Sequence, residues 1–321
     1  MRSWFNACVR PSHRSLPAPA KAGGKLIYTV RREHFRLKLP SRTLILGDRT
    51  LIMGVLNVTP DSFSDGGHYF DSRAAIAHAF EMERAGADLI DIGGESTRPG
   101  SEGVSAEEEL RRILPVLEGL RGKLKIPISI DTSKSQVANA AIQAGAEIVN
   151  DVTGLRADPG IADAAKRYKL PLILMHMRGE PRTMHKGPFA RDVMQDVIAG
   201  FKRCVALARK AGVPKSQIVL DPGLGFGKSY EQNYELIAGI PELAALGFPL
   251  LIGASRKSFV GKALGGTAKG ERAWGTAATV TAAALGGAHM VRVHDVEQMA
   301  QVARVADAIV NRGRMPEKPS R

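Results

Sequence analysis

Polar and charged residues recur at the ends of short apolar runs along this chain. Asn57 closes LIMGVLN, and Glu95-Ser96-Thr97-Arg98 follows LIDIGG. Asp131, Asn150-Asp151, Met175-His176-Met177 and Asp221 end four further runs. Ser255-Arg256-Lys257-Ser258 ends a seventh, and Arg292 with His294 ends the eighth. Their chemistry divides in two. Arg98, Arg292, His294 and Lys257 suit an anion. Asp131, Asn150 and Asp221 suit a nitrogen heterocycle, because a carboxylate can accept two parallel N–H bonds and an asparagine offers both donor and acceptor. Gathered on one face, the two sets would fit an aromatic heterocycle with a phosphorylated arm.

Such residues need a frame that brings them together. From residue 50 onward the chain repeats an apolar run, a polar turn and a helical stretch, eight times in about 260 residues. The runs are LIMGVLNV, LIDIGG, PISIDT, EIVNDV, PLILMHM, QIVLDPG, PLLIGAS and HMVRVHD. Near-continuous apolar runs are what buried parallel strands require. Segments such as SRAAIAHAFEMERAG and SAEEELRRILPVLEGL carry apolar residues at spacings of three and four, and several end in Ala-Gly or Gly-Ala. Eight such units predict an α/β protein, a (β/α)8 TIM barrel, with a doubly wound open sheet as the alternative. In a barrel the active site sits where strands end, so the polar residues would converge there. HFRLKLPSRTLILGD alternates and predicts a hairpin across the barrel's base.

Composition bounds the partners. The net charge is +13, but residues 1–32 hold seven Lys/Arg and no Asp or Glu, which leaves +6 for the other 289 residues. The basicity is therefore largely a tail property, and no stacking platform of aromatic residues accompanies it, so nucleic acid is not expected as a partner. Residues 1–33 are expected as a disordered basic extension, 34–312 as one barrel domain and 313–321 as a C-terminal tail. The longest uncharged run, residues 275–291, is too short and Gly-rich for a membrane span. Two cysteines, Cys8 and Cys204, form no metal or redox spacing, and a reducing cytoplasm is the expected compartment. GLGFGKS fails as a Walker loop because Pro222 stands where glycine is required. HMRGEPRTMH carries two histidines at a spacing that matches no zinc site.

NVTPDSFSDGG and DIGGESTRPGS resemble the two signatures of the dihydropteroate synthase family. IDT, ND, LMHMRG, DPGLGFGK, GASRKS and RVHD follow in that family's order, over residues 34 to 312. The resemblance implies condensation of dihydropterin-methyl diphosphate with 4-aminobenzoate, release of diphosphate, a Mg²⁺ ion and a homodimer. It implies Asn57 at the metal, and Phe63 and Asp65 on a loop closing over substrate. It assigns Thr97 to substrate, Arg98, Arg292 and His294 to the diphosphate, and Asp131, Asn150, Asp221 and Lys257 to the pterin. Met175 and Phe226 would face the ring, and Ser258 would take the 4-aminobenzoate carboxylate. A methyltetrahydrofolate-binding methyltransferase would share the pterin residues but have no use for the Arg98 loop or Ser258. A catalytically inactive pterin-binding paralogue is the non-enzymatic alternative.

Overall fold

The computed structural model describes residues 30–59, 72–96, 101, 103–180, 182–266, 268 and 271–313. Two short strands, β1 (Phe35–Lys38) and β2 (Thr43–Leu46), pair antiparallel as the expected hairpin. The eight barrel strands follow: β3 (Leu51–Asn57), β4 (Leu89–Gly93), β5 (Ile128–Asp131), β6 (Ile148–Asp151), β7 (Leu172–Met175), β8 (Ile218–Asp221), β9 (Leu251–Ile252) and β10 (Met290–Val293). Every neighbouring pair from β8 round to β9 is parallel. A parallel bridge from Leu220 to Leu250, just ahead of β9, joins the two ends of the sheet and excludes the open-sheet alternative.

Helices α1 (Ser72–Ala85), α2 (Ala106–Leu120), α3 (Ser135–Gln143), α4 (Gly160–Tyr168) and α5 (Val193–Ala211) connect successive strands on the outside. The pairs α6 (Tyr230–Ala238) with α7 (Ile240–Ala244), and α8 (Ser258–Ala263) with α9 (Ala273–Gly286), serve the next two units, and α10 (Val296–Val310) completes the ring. The Ala-Gly signals mark real helix ends. Gly212 after α5 and Gly287 after α9 lie in the left-handed region, and their N–H groups return to the last turn. Among the described residues no helix is long and apolar enough to cross a membrane.

Strand alternation divides the core. Outward residues such as Ile52, Ile90, Ile130 and Val291 pack under the helices. Inward residues Leu51, Met53, Leu89, Ile148, Ile173, Val219, Leu251 and Met290 fill the lower barrel. Leu37, Leu39 and Leu46 of the hairpin join that inner cluster and plug its base. Each large apolar side chain removed from water there contributes about 1.5–3 kcal/mol. The lower half is thus closed by hydrocarbon, and the space for polar chemistry lies above it.

The expected boundary between residues 33 and 34 needs correction. Val30 N–H donates to Leu285 O at 2.9 Å. Arg32 is 5% exposed, and its Nη2 donates to Asp307 Oδ1 at 2.8 Å, Thr50 Oγ1 at 2.7 Å and Ala284 O at 3.0 Å. Asp307 also accepts from Thr50 N–H at 2.8 Å. A basic residue read as part of a solvated tail is therefore a buried clasp between the start of the barrel and α10. Residues 1–29 and 314–321 lie outside the described residues.

Removing one partner of a buried pair leaves the other charge uncompensated. Arg32→Ala is expected to lower the free energy of unfolding by about 3–5 kcal/mol, read by urea denaturation. A truncation that starts the chain at Glu33 should lose as much, whereas one that retains Arg32 should keep the contact. No loss in either Arg32 variant would mean that the clasp contributes nothing to the fold.

Candidate active site

Above the hydrocarbon floor, the inward positions change character. Asp91 and Gly93 on β4, Ser129 and Asp131 on β5, Asn150 on β6, Asp221 ending β8 and Arg292 on β10 occupy the same faces as the apolar residues below them. Gly253 follows β9, and a Cβ there would lie 3.8 Å from Arg292 Cβ and 3.9 Å from Asp221 Oδ2. The missing side chain leaves that side of the barrel open.

Arg292 is the centre of this layer. Its Nε donates to Asp91 Oδ2 at 2.7 Å and its Nη2 to Asp131 Oδ2 at 2.8 Å. Asn150 Nδ2 donates to the same Asp91 oxygen at 2.9 Å. One cation thus serves two carboxylates. Burial pushes the Asp131 carboxyl up to about 8, opposed by Arg292 and reinforced by Asp91. Asp91 Oδ1, Asn150 Oδ1 and Ser129 Oγ are buried with no partner among the described residues. Unpaired buried polar atoms are costly, so this cluster is incomplete without a further donor.

The turn after β9 supplies the opposite wall. Arg256 has a positive φ of 58° and directs its own side chain to Asp295, donating from Nε at 3.1 Å. The neighbouring Ser255 and Lys257 are directed to the site. Lys257 Nζ donates to Leu224 O and stands 4.1 Å above the Phe226 ring. Burial lowers the Lys257 ammonium to about 7, with Asp221 opposing the shift. Asp221 itself is raised by burial and accepts from Gly223 N–H at 2.7 Å. Met175 is buried in a cluster with Val152, Met177 and Met184, against which Phe226 packs. Ser258 opens α8, with Lys257 as its cap residue. His294 Nδ1 is 3.0 Å from Ser255 Oγ.

The structure therefore brings Asp131, Asn150, Asp221, Met175, Phe226, Lys257 and Arg292 together around one mouth, with Asn57 half-buried at the end of β3. Arg292 differs from expectation: its guanidinium reaches inward to carboxylates. Phe63, Asp65, Thr97 and Arg98 lie outside the described residues. Asp91 was missed, although a lone carboxylate at the centre of LIDIG, on the inward face with Gly93, carried the signal. Lys228, from the failed Walker-like stretch, is a buried tie that donates to His176 O at 2.8 Å and Gly223 O at 2.9 Å.

Among the described residues no group of three or more His, Cys, Asp or Glu could hold a metal ion. The donor that Asn57 offers is one amide oxygen. That fits a hard cation bound chiefly by substrate oxygens and water, and does not fit a protein-caged ion.

Comparison with known proteins places this geometry. Residues 53–294 match the model of the pterin binding enzyme family. A dihydropteroate synthase from Synechocystis is 53% identical over 263 residues, which cover 82% of this chain and 91% of that protein. The Yersinia pestis dihydropteroate synthase in a sulfonamide drug complex is 43% identical with a TM-score of 0.81, covering 86% of this chain and 100% of that one. The Xanthomonas albilineans enzyme in complex with 7,8-dihydropteroate is 42% identical with a TM-score of 0.77, covering 85% and 98%. The chain, whose inward carboxylates and lysine stand at one barrel mouth, belongs to the pterin-binding enzyme family and within it to the dihydropteroate synthases.

Proposed function

We infer that this chain condenses (7,8-dihydropterin-6-yl)methyl diphosphate with 4-aminobenzoate, giving 7,8-dihydropteroate and diphosphate. The observation that carries the reading is the set of incomplete acceptors at the barrel's centre: Asp91 Oδ1 and Asn150 Oδ1, beside Asp131 and Asp221. A pterin's amino-pyrimidinone edge presents the donors they lack. In this structure Arg292 Nη2 gives Asp131 one N–H donor of the kind such an edge would bring. The arriving pterin would replace it there, and Arg292, still held at Nε by Asp91, would turn its free N–H groups toward the diphosphate.

The reaction needs no nucleophile from the protein. The methylene–oxygen bond breaks as diphosphate leaves, the dihydropterin spreads the positive charge, and the arylamine nitrogen forms the new C–N bond and sheds a proton. Catalysis then rests on positioning and on stabilising the departing anion. Arg292 and His294 would do this, with Arg98 and Thr97 from the second signature. Phe226 and Met175 would hold the ring faces. Ser258 would bind the 4-aminobenzoate carboxylate, with Phe63 and Asp65 of the first signature completing the pocket. A Mg²⁺ ion, held by the diphosphate and the Asn57 amide oxygen, would neutralise charge on the leaving group. Two copies would form a homodimer, with the exposed Val305 and Ile309, one turn apart on α10, as an apolar stripe for the contact. Sedimentation equilibrium reads that state directly.

Diphosphate release from the pterin diphosphate that requires 4-aminobenzoate tests the reading, and excludes both a methyltransferase and an inactive paralogue. Asp131→Asn keeps the volume of the side chain but replaces an acceptor with a donor. Pterin diphosphate affinity should fall by about 1–3 kcal/mol, roughly five- to 150-fold, in calorimetry. Unchanged affinity would reduce Asp131 to a structural partner of Arg292.

Lys257 gives a pH signature. Burial disfavours its charged form and lowers it from an ordinary 10.5 to about 7. Ring acceptors favour the ammonium, so at pH 8 binding should draw a proton from solution, and affinity should fall as pH rises above 7. Calorimetry in buffers of different ionisation enthalpy should show about one proton more taken up by the wild type than by Lys257→Met. Equal proton counts would remove Lys257 from pterin recognition.

A further inference from the structure

His176, Met177, Arg178, Gly179, Thr183 and Met184, from the stretch that matches no zinc spacing, line a cavity of about 590 Å³ beside the barrel mouth. Asp131, Asn150, Asp221, Phe226, Lys257 and Arg292 do not line it, whereas Met175, at the end of β7, faces both the mouth and this cavity. One wall is the α5 stripe Asp196, Gly200, Arg203, Cys204 and Leu207, residues that recur every three or four positions. Gly200 sets the depth. A Cβ there would lie 2.3 Å from His176 Cδ2, so the helix backbone lies against the end of β7. The opposite wall comes from Thr153 to Arg156 after β6.

The lining combines apolar side chains with guanidinium groups. Met177, Met184 and Cys204 are buried in it, and Leu207 is 44% exposed at its rim. The thiol of Cys204, buried and pushed up to about 12, stays neutral. His176 stays neutral as well, lowered to about 2 by burial and by Lys228, Arg156, Arg203 and Arg178. Charge comes from Arg156, Arg178 and Arg203 against a single lining carboxylate, Asp196. Asp196 is taken by Arg178, whose Nη1 donates to it at 3.1 Å. Among the described residues Arg156 donates to carbonyl oxygens, Thr153 O at 3.2 Å and Gly179 O at 3.1 Å. Arg203 meets no carboxylate within ion-pair distance among the described residues. Among the described residues neither guanidinium has a carboxylate at ion-pair distance, although the buried Asp151 acts on Arg156 electrostatically. The volume falls in the range of small-molecule sites, about 300–1,000 Å³.

We propose that this groove is a second ligand site, beside the barrel mouth and sharing Met175 with it, for a small molecule with a flat apolar body and one anionic group. The body would lie on Met177, Met184 and Leu207, and the anion would meet Arg156 and Arg203. Two naphthyl dyes that differ in charge test it on the full chain. Anilinonaphthalene sulfonate is the anionic probe and N-phenyl-1-naphthylamine the neutral one, both followed by emission. The sulfonate should bind saturably at one site, about tenfold or more tighter than the neutral dye. Arg203→Glu, on an exposed position of α5, should weaken the sulfonate about tenfold or more and leave the neutral dye within about twofold. Arg203→Lys should restore most of the loss. Leu207→Asp should weaken both dyes, while 4-aminobenzoate-dependent diphosphate release stays at the wild-type rate in all three variants. Equal affinity of the two dyes would overturn the anionic part of the assignment. Sulfonate binding by Arg203→Glu as tight as by the wild type would overturn the site.

Discussion

The site depends on one cation shared by two buried carboxylates. Arg292 bridges Asp91 and Asp131 at 2.7 and 2.8 Å, and the same Asp91 oxygen takes the Asn150 amide. Burial is the main cause of the raised Asp131 carboxyl; the shared Arg292 opposes it, and the second carboxylate, Asp91, adds to it. The arrangement is under-satisfied by design of its parts: acceptors remain open on Asp91 and Asn150. Breaking a buried pair is expensive, yet exchanging one donor for another is not. A ligand that brings its own N–H edge can therefore replace Arg292 on Asp131 without leaving a bare charge behind.

The rest of the barrel keeps that layer dry and in register. Below it, hairpin residues Leu37 and Leu46 seal the floor with the inward side chains of the strands. Around it, Gly93 and Gly253 leave space where a side chain would meet Asp131, or Asp221 and Arg292. The pairing of Asp91 with Ser129 and of Asp131 with Asn150 stacks polar residues at two adjacent levels. A shift of one residue in β5 would turn Asp131 outward and bring Ile130 into the site, so the apolar alternation that builds the core also aims the chemistry.

Much of this was legible from residue order. The apolar runs became strands within one or two residues at most ends, because buried parallel strands leave little latitude in composition. β9, with only Leu251 and Ile252, is shorter than PLLIGAS suggested. Two features were not legible, for one physical reason. Arg292 and Arg32 were read as solvent-facing or anion-facing because a basic side chain far from an acid in sequence carries no sign of its partner. Asp91 is 201 residues from Arg292 and Asp307 is 275 from Arg32. The Asp91 signal was local but faint, an acid within an otherwise apolar run. The α5 groove was hidden likewise, since Arg156, Arg178 and Arg203 sit on three separate elements.

Asp91, though never in line with the reacting atoms, holds Arg292 and Asn150 in place, and pterin binding is expected to depend on it. Calorimetric titration of Asp91→Asn with the pterin diphosphate measures this directly. With Asp91 neutral, Arg292 has Asp131 alone as its carboxylate, and the ligand must displace a stronger pair. Affinity should then fall by about 1.5–3 kcal/mol, roughly ten- to 150-fold, in a protein that still melts cooperatively. Wild-type affinity in a folded Asp91→Asn protein would mean that Asp91 does not hold the pterin site together.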